Sequence, residues 1–300
     1  MKKLIVLFAI LLLALVGCGS EDEDGLKVVA TLFPQYDFVR NIAGDAADTD
    51  LLLDLGTDAH SFDPTALDVM KIANADLFIY TGEDMELWAK KLLESEDISR
   101  AVDSGKLKVL DLSNSVSLIA GHHENEFDMH IWTSPENASL MCDAICASLV
   151  SLDGENADYY KENLAAYKEK LTAVDTAYKE AINGARLDGA FFGGSFAFAY
   201  LFDEYSLSHE SVYEGCASHT EPSALDIARV VSAVKAADAK YVIYDTAAEK
   251  KTAQIIANES GADLVRLHAI HNISKTEFDC GEDYISLSMA NAEVLGKALN

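Results

Sequence analysis

Short apolar runs rich in β-branched residues alternate with helical stretches along most of the chain. They predict strands at 28–32, 50–55, 76–81 and 108–112, and again at 190–193, 240–245 and 263–267. Strand and helix in alternation is the pattern of βαβ units and parallel sheets. Between the two sets, no Gly or Pro interrupts 155–182. There the apolar positions Tyr160, Leu164, Tyr167, Leu171, Val174 and Tyr178 step by four and three residues in turn. That spacing predicts one long helix with a single apolar stripe, stopped by Asn183-Gly184. At roughly 1.5 Å per residue it would reach about 40 Å, the length of a lobe. Such a stripe also suits a coiled-coil dimer; its three tyrosines and flanking α/β segments favour packing along the lobes.

An internal repeat points to two equivalent lobes. DPTALDV, from Asp63, is followed by NADLFIYTG, and EPSALDI, from Glu221, is followed by AADAKYVIYDT. In both, an acid-Pro-hydroxyl start would cap a helix, with Pro in its first turn, and the helix leads to a buried strand. The expected fold is therefore α/β: two doubly wound parallel-sheet lobes joined by one long rigid helix. Its lobes would be 27–153 and 185–300, with the linking helix at 154–184.

The amino terminus reads differently. Lys2 and Lys3 precede an apolar run from Leu4 to Val16. That run is too short for a bilayer core of about 30 Å and suits a secretory signal peptide, here residues 1–17. Leu15-Val16-Gly17-Cys18 resembles a bacterial lipobox, which makes Cys18 the lipidation site. Residues 18–26 would be a lipidated cysteine with an acidic tether. The protein would then sit on the extracytoplasmic face of the cell membrane, held only by lipid.

Net charge changes the list of partners. The formal value is −27, which repels nucleic acid and anionic lipid and concentrates cations near the surface. Of five cysteines, Cys142 and Cys146 lie four apart on a predicted helix and suit its apolar face. Cys216 and Cys280 read as buried free thiols, with pairing as the alternative. No C-x-x-C occurs, so a thiolate zinc knuckle has no support.

Eight histidines are placed more tellingly than they are numerous. His60 falls beyond the strand at 50–55 and His268 directly beyond that at 263–267. In open parallel sheets ligands bind outside the carboxyl ends of strands. His130 stands before Ile131-Trp132 and a helix start at Thr133-Ser134-Pro135. Neutral imidazoles arriving from separate loops are a standard way to hold Zn²⁺. His122 and His123, in GHHENEFD, would be either low-affinity metal collectors or part of a solvated loop. Glu249, Lys250 and Lys251, with Asp245, read as a solvated helix start, and Tyr36 as packing near the cleft.

At this point a resemblance becomes specific. VVATLFPQYDFVRNIAGD from Val28, HSFDPT, MHIWTSPENA from Met129, LDGENADYYKENLAAY and GEDYISL from Gly281 are similar, in order, to the zinc and manganese ABC-transporter solute-binding proteins, family nine of the bacterial solute-binding proteins. The resemblance implies a divalent cation held in the interlobe cleft and passed to a membrane permease by a monomeric binding protein. It matches family ligands to His60 and His130, places Ser195 where a His or Glu is usual, and places His268 where an acid is usual. His219, near the repeat counterpart of His60, or a water would complete the set; His271 is a further candidate. Imidazole donors favour Zn²⁺, carboxylates Mn²⁺.

Rival functions are a zinc hydrolase using a three-histidine site and a siderophore or cobalamin binder of similar architecture. The first lacks H-E-x-x-H, G-x-S-x-G and a phosphate-binding glycine loop, so no enzyme is expected. The second would need a wide aromatic or arginine-lined cleft. Ester or peptide turnover would favour the hydrolase, and failure to retain bare Zn²⁺ the siderophore binder. An adhesin has no encoded surface to argue from.

Overall fold

In the computed structural model the described residues are 25–57, 62–121, 126–213, 222–246 and 248–300. The signal segment, Cys18, His60, His122, His123, Cys216, His219 and Glu221 therefore lie outside them. Among the described residues no helix is long and apolar enough to cross a membrane.

Two four-stranded sheets carry the same topology. In the first, β1 (Leu26–Ala30), β2 (Ala47–Leu51), β3 (Leu77–Tyr80) and β4 (Lys108–Asp111) run in the order β2-β1-β3-β4. In the second, β5 (Gly189–Phe192), β6 (Ser208–Ser211), β7 (Tyr241–Tyr244) and β8 (Asp263–Arg266) run in the order β6-β5-β7-β8. Every pairing is parallel, with Leu26 opposite Ala47 and Tyr241 opposite Asp263. Central strands are the apolar ones: all four residues of β3, LFIY, are buried, as expected where both faces are covered. Edge strands are mixed, and there the sequence expectation fails. β2 is ADTDL at 47–51 rather than 50–55, and β6, SHES, has no apolar run at all.

Helices cover both faces of each sheet. Before the linking helix come α1 (Phe33–Ala43), α2 (Ala66–Ala73), α3 (Leu87–Leu93), α4 (Glu96–Asp103) and α5 (Pro135–Leu152), and the linking helix is α6 (Ala157–Ile182). After it come α7 (Ala199–Glu204), α8 (Ala224–Ala236), α9 (Lys250–Ser260), α10 (Lys275–Asp279) and α11 (Tyr284–Ala298). The repeat is real in three dimensions: α2 and α8 each precede the third strand of their lobe. Thr65 and Ser223 accept the backbone N–H of Asp68 and Asp226 as N-caps. Pro64 and Pro222 sit one residue before those caps, not in the first turn as the sequence suggested.

α6 belongs to both lobes. Tyr160, Tyr167 and Leu171 are buried in the first lobe's core, and Val174 and Tyr178 in the second's. At about 1.5–3 kcal/mol for each large buried side chain, this stripe ties the lobes to one rod. It leaves no apolar seam for a coiled-coil partner. Gly184, at φ +78°, supplies the left-handed turn that ends the helix.

The lobes also exchange residues. Tyr200, Ile270, Ile273, Tyr284 and Leu287 follow the linking helix in sequence yet pack in the core of the first lobe. Cys142 and Cys146 are buried there as expected, whereas Cys280 is a free, exposed thiol and not a buried one.

Asp37 of α1 sits at this junction. Its carboxylate accepts from Tyr167 Oη (3.1 Å) and from the Tyr284 backbone N–H (3.4 Å). Burial, reinforced by Asp283, pushes its carboxyl up to about 6. The folded state then holds the proton more tightly than the unfolded chain. This carboxyl's contribution is therefore full below about pH 4, is lost as pH rises through about 6, and amounts to about 3 kcal/mol. Denaturant unfolding at a series of pH values should show wild type losing that much stability relative to Asp37→Asn between pH 4 and 7. Parallel curves would show that Asp37 does not titrate there.

Candidate metal centre

His130 is the best-defined candidate ligand. It lies just before a single 3₁₀ turn (Ile131–Thr133) that leads into α5. Its side chain is 5 % exposed, and its Nδ1 stands 2.9 Å from Asp128 Oδ1, which also accepts the His130 backbone N–H. A carboxylate acceptor assigns the ring proton to Nδ1. That arrangement orients metal-binding histidines and raises their basicity. Asp128 is fixed in turn from the opposite lobe, since Tyr200 Oη donates to its carbonyl at 2.6 Å. Asp128 was not singled out from sequence; an acid two residues before a candidate histidine was the available signal.

Opposite His130 runs the segment 267–273, which leaves β8 and crosses to the first lobe. Trp132 Nε1 donates to Ala269 O (2.7 Å), and the Trp132 ring meets His130 edge-on at 5.5 Å. Phe33 N–H donates to His271 O (3.3 Å). Asn272 Nδ2 donates to the carbonyls of Asp54 (2.9 Å) and Thr57 (2.8 Å), so it grips the stretch that leads into His60. Ile270 takes φ +60°, a costly conformation for a β-branched residue. It is buried in the first lobe's core, which holds it there.

His268 is held on several sides. Its Nδ1 accepts the Ile270 N–H at 2.9 Å, and Nε2 lies 3.6 Å from Glu277 Oε1. The backbone of His268 is locked to Asn291 in both directions. Burial, with Arg266 nearby, pulls the imidazole down to about 4, so the ring is neutral at pH 7 and carries its proton on Nε2. Nε2 is buried and makes no hydrogen bond. His271, three residues on, is half-buried at the lobe boundary. Among the described residues no three His, Cys, Asp or Glu side chains gather as a metal-holding group. The remaining candidates, His60 and His219, lie outside those residues.

Two other readings change. Asp245 and Glu249 are not a solvated helix start. Asp245 is buried, its Oδ1 accepts the Ala269 N–H at 3.1 Å, and burial pushes its carboxyl up to about 7. Glu249 folds back over the strand ends and accepts from the backbone N–H groups of Ser195 (2.9 Å), Asp245 (3.1 Å) and Thr246 (3.4 Å). A Cβ on Gly194 would lie 2.4 Å from the Glu249 carboxyl carbon, so a side chain there would displace that carboxylate. Glu86 plays the same part in the first lobe, accepting from Thr31 Oγ1 and the Thr81 and Gly82 N–H groups. Tyr36 is half-buried with Arg40 above its ring and holds no polar role.

Paired parallel-sheet lobes on one rigid helix, with an oriented imidazole facing a shared crossing segment, define the helix-linked class of two-lobe solute-binding proteins. Comparison makes this particular: the chain belongs to the family described as zinc-uptake complex component A, periplasmic, whose profile matches residues 28–298. It is 32% identical over 311 residues to the zinc-binding lipoprotein AdcA of Streptococcus pneumoniae serotype 4, covering 98% of this chain and 60% of that protein. The chain thus spans about three-fifths of that relative's length. It is 32% identical over 296 residues to the high-affinity zinc uptake system protein ZnuA of Bacillus subtilis, covering 94% and 90% of the two chains. The crystal structure of the Zn(II)-bound ZnuA-like domain of S. pneumoniae AdcA superposes with a TM-score of 0.79 at 31% identity, covering 92% and 99%.

Asn272→Ala should loosen the 54–57 stretch, since two carbonyls lose their donor. Hydrogen–deuterium exchange of peptides covering it should quicken tenfold or more, with α5 unchanged. Equal exchange in both proteins would show that the stretch is held by something else.

Proposed function

We propose that this chain is the extracytoplasmic binding component of a metal importer of the ABC type, which captures Zn²⁺ between its lobes and delivers it to the permease. The observation that carries this reading is the Asp128–His130 pair, a carboxylate-oriented imidazole at the lobe boundary. Two relatives named for zinc binding and zinc uptake, and a Zn(II)-bound structural neighbour, support zinc as the cargo. Mn²⁺ is the lesser candidate because the donors are imidazoles. Lipidation at Cys18 would hold the monomer at the membrane, in keeping with a relative named as a lipoprotein.

The ligand set in this reading is His60, His130 and an imidazole from the crossing segment, with His219 or a water as the fourth donor. His271 takes the crossing-segment place first assigned to His268, because the Nδ1 of His268 is occupied by the Ile270 N–H. His268 then serves to brace the loop. Because the lobes share a core, loading involves a small rearrangement rather than a wide hinge closure.

Zinc should raise the melting temperature, by about 2.7 kcal/mol of stabilisation at one hundred times Kd. In chelator-competition titrations His130→Ala and His271→Ala should each weaken zinc binding tenfold or more, and His268→Ala less than about twofold. The same titration on His219→Ala decides between imidazole and water, and X-ray absorption of the loaded protein counts the rings. Absence of any zinc-dependent melting shift would sink the reading. A tenfold loss in His268→Ala with none in His271→Ala would return the assignment to His268.

A further inference from the structure

Two of the most exposed large apolar side chains are Leu67 (70 %) and Leu225 (78 %). They occupy the same place in the internal repeat, the second helical position of α2 and of α8. Exposure matches residue by residue on either side: Pro, half-buried; Thr or Ser, Ala and Leu, exposed; Asp and Val or Ile, half-buried. Neither leucine joins a core cluster, whereas the inward residues Ile72, Val230 and Val234 do. Folding does not require a leucine at either position, yet both lobes carry one.

Their location is equally matched. Each helix begins at the carboxyl edge of its sheet, the edge at which open α/β folds bind ligands. Acids neighbour them in sequence: Asp63, exposed, and Asp68 near Leu67, and Asp226 next to Leu225. An apolar tip with acid beside it fits an apolar socket bordered by Lys or Arg. Two identical tips, one on each lobe, fit a partner that presents two such sockets.

We propose that Leu67 and Leu225 are the two contact points by which this chain docks, cleft mouth first, on the membrane permease, each lobe meeting one of two alike halves. The proposal rests on the transport reading above. Uptake and metal binding can be measured separately, so the two can fail separately. Leu87, 79 % exposed and matched in the second lobe by a lysine, Lys250, rather than a leucine, is the control.

The test compares Leu67→Asp, Leu225→Asp, the double variant and Leu87→Asp in the full chain. Zinc affinity is measured by chelator competition on purified protein. Uptake of radioactive Zn²⁺ is measured in cells whose own copy of this chain is replaced by each variant. The expected result is zinc affinity within twofold of wild type throughout. Uptake should fall several-fold in each single variant, tenfold or more in the double variant, and not in Leu87→Asp. Wild-type uptake by the double variant would overturn the proposal, as would a loss confined to one leucine. A tenfold loss of zinc affinity would assign the leucines to the metal site instead. Self-association of the wild-type protein in sedimentation, abolished in the double variant, would make a second copy the occupant and likewise overturn it. If wild type neither binds zinc nor restores uptake, the transport reading itself falls.

Discussion

One hydrogen bond organises the boundary between the lobes: the indole N–H of Trp132 donating to the carbonyl of Ala269 at 2.7 Å. Trp132 is wholly buried, and Tyr284 Oη donates to its carbonyl, so the ring is fixed from both sides. Ala269 is pinned likewise, its N–H on the Asp245 carboxylate and its C=O on the indole. A buried carbonyl deprived of its donor costs about 1–3 kcal/mol, which makes lobe separation expensive at this point. The same bond sets His130, two residues before Trp132, against the segment that carries His271.

The duplicated carboxylates give each sheet edge a rigid rim. Glu86 and Glu249 each gather donors from two strand ends, so a side chain does what loop backbone cannot do for itself. Burial pushes Glu86 up to about 7 while its donors pull the other way. A buried carboxylate is tolerable only when so surrounded. With the rims fixed, the strand-end loops become short arms on a stiff frame, suited to holding imidazoles at defined positions.

Legibility followed the physics of burial. The central strands and α6 were readable because both are defined by what they bury: continuous apolar runs in one case, a heptad-like stripe in the other. β6 was invisible because SHES is an edge strand whose pairing is a backbone matter. Pro64 and Pro222 were misplaced by two positions because the hydroxyls of Thr65 and Ser223, not the preceding acids, take the caps. His130 could be selected by its neighbours. The engagement of His268 could not, since its Nδ1 takes a backbone N–H from Ile270, a tertiary fact created by that residue's left-handed conformation. Asp245 and Glu249 were misjudged for a related reason, because charge in a sequence reads as solvated until a donor appears in space.

These features together separate frame from cargo chemistry. The frame consists of the shared core, α6 and the carboxylate rims, and none of it depends on which side chains reach the cleft. The candidate donors occupy strand-end segments whose neighbours Asp128, Asn272 and Asn291 set their orientation. Ser195 illustrates the separation: the family resemblance calls for a ligand there, yet its backbone N–H still donates to Glu249 and the lobe is undisturbed. A donor can thus be lost at one arm and supplied from another without repacking either lobe. Cation choice in such a molecule is decided by short arms and their bracing residues, and the capacity to bring two lobes to one ion is decided by Trp132 and its partners.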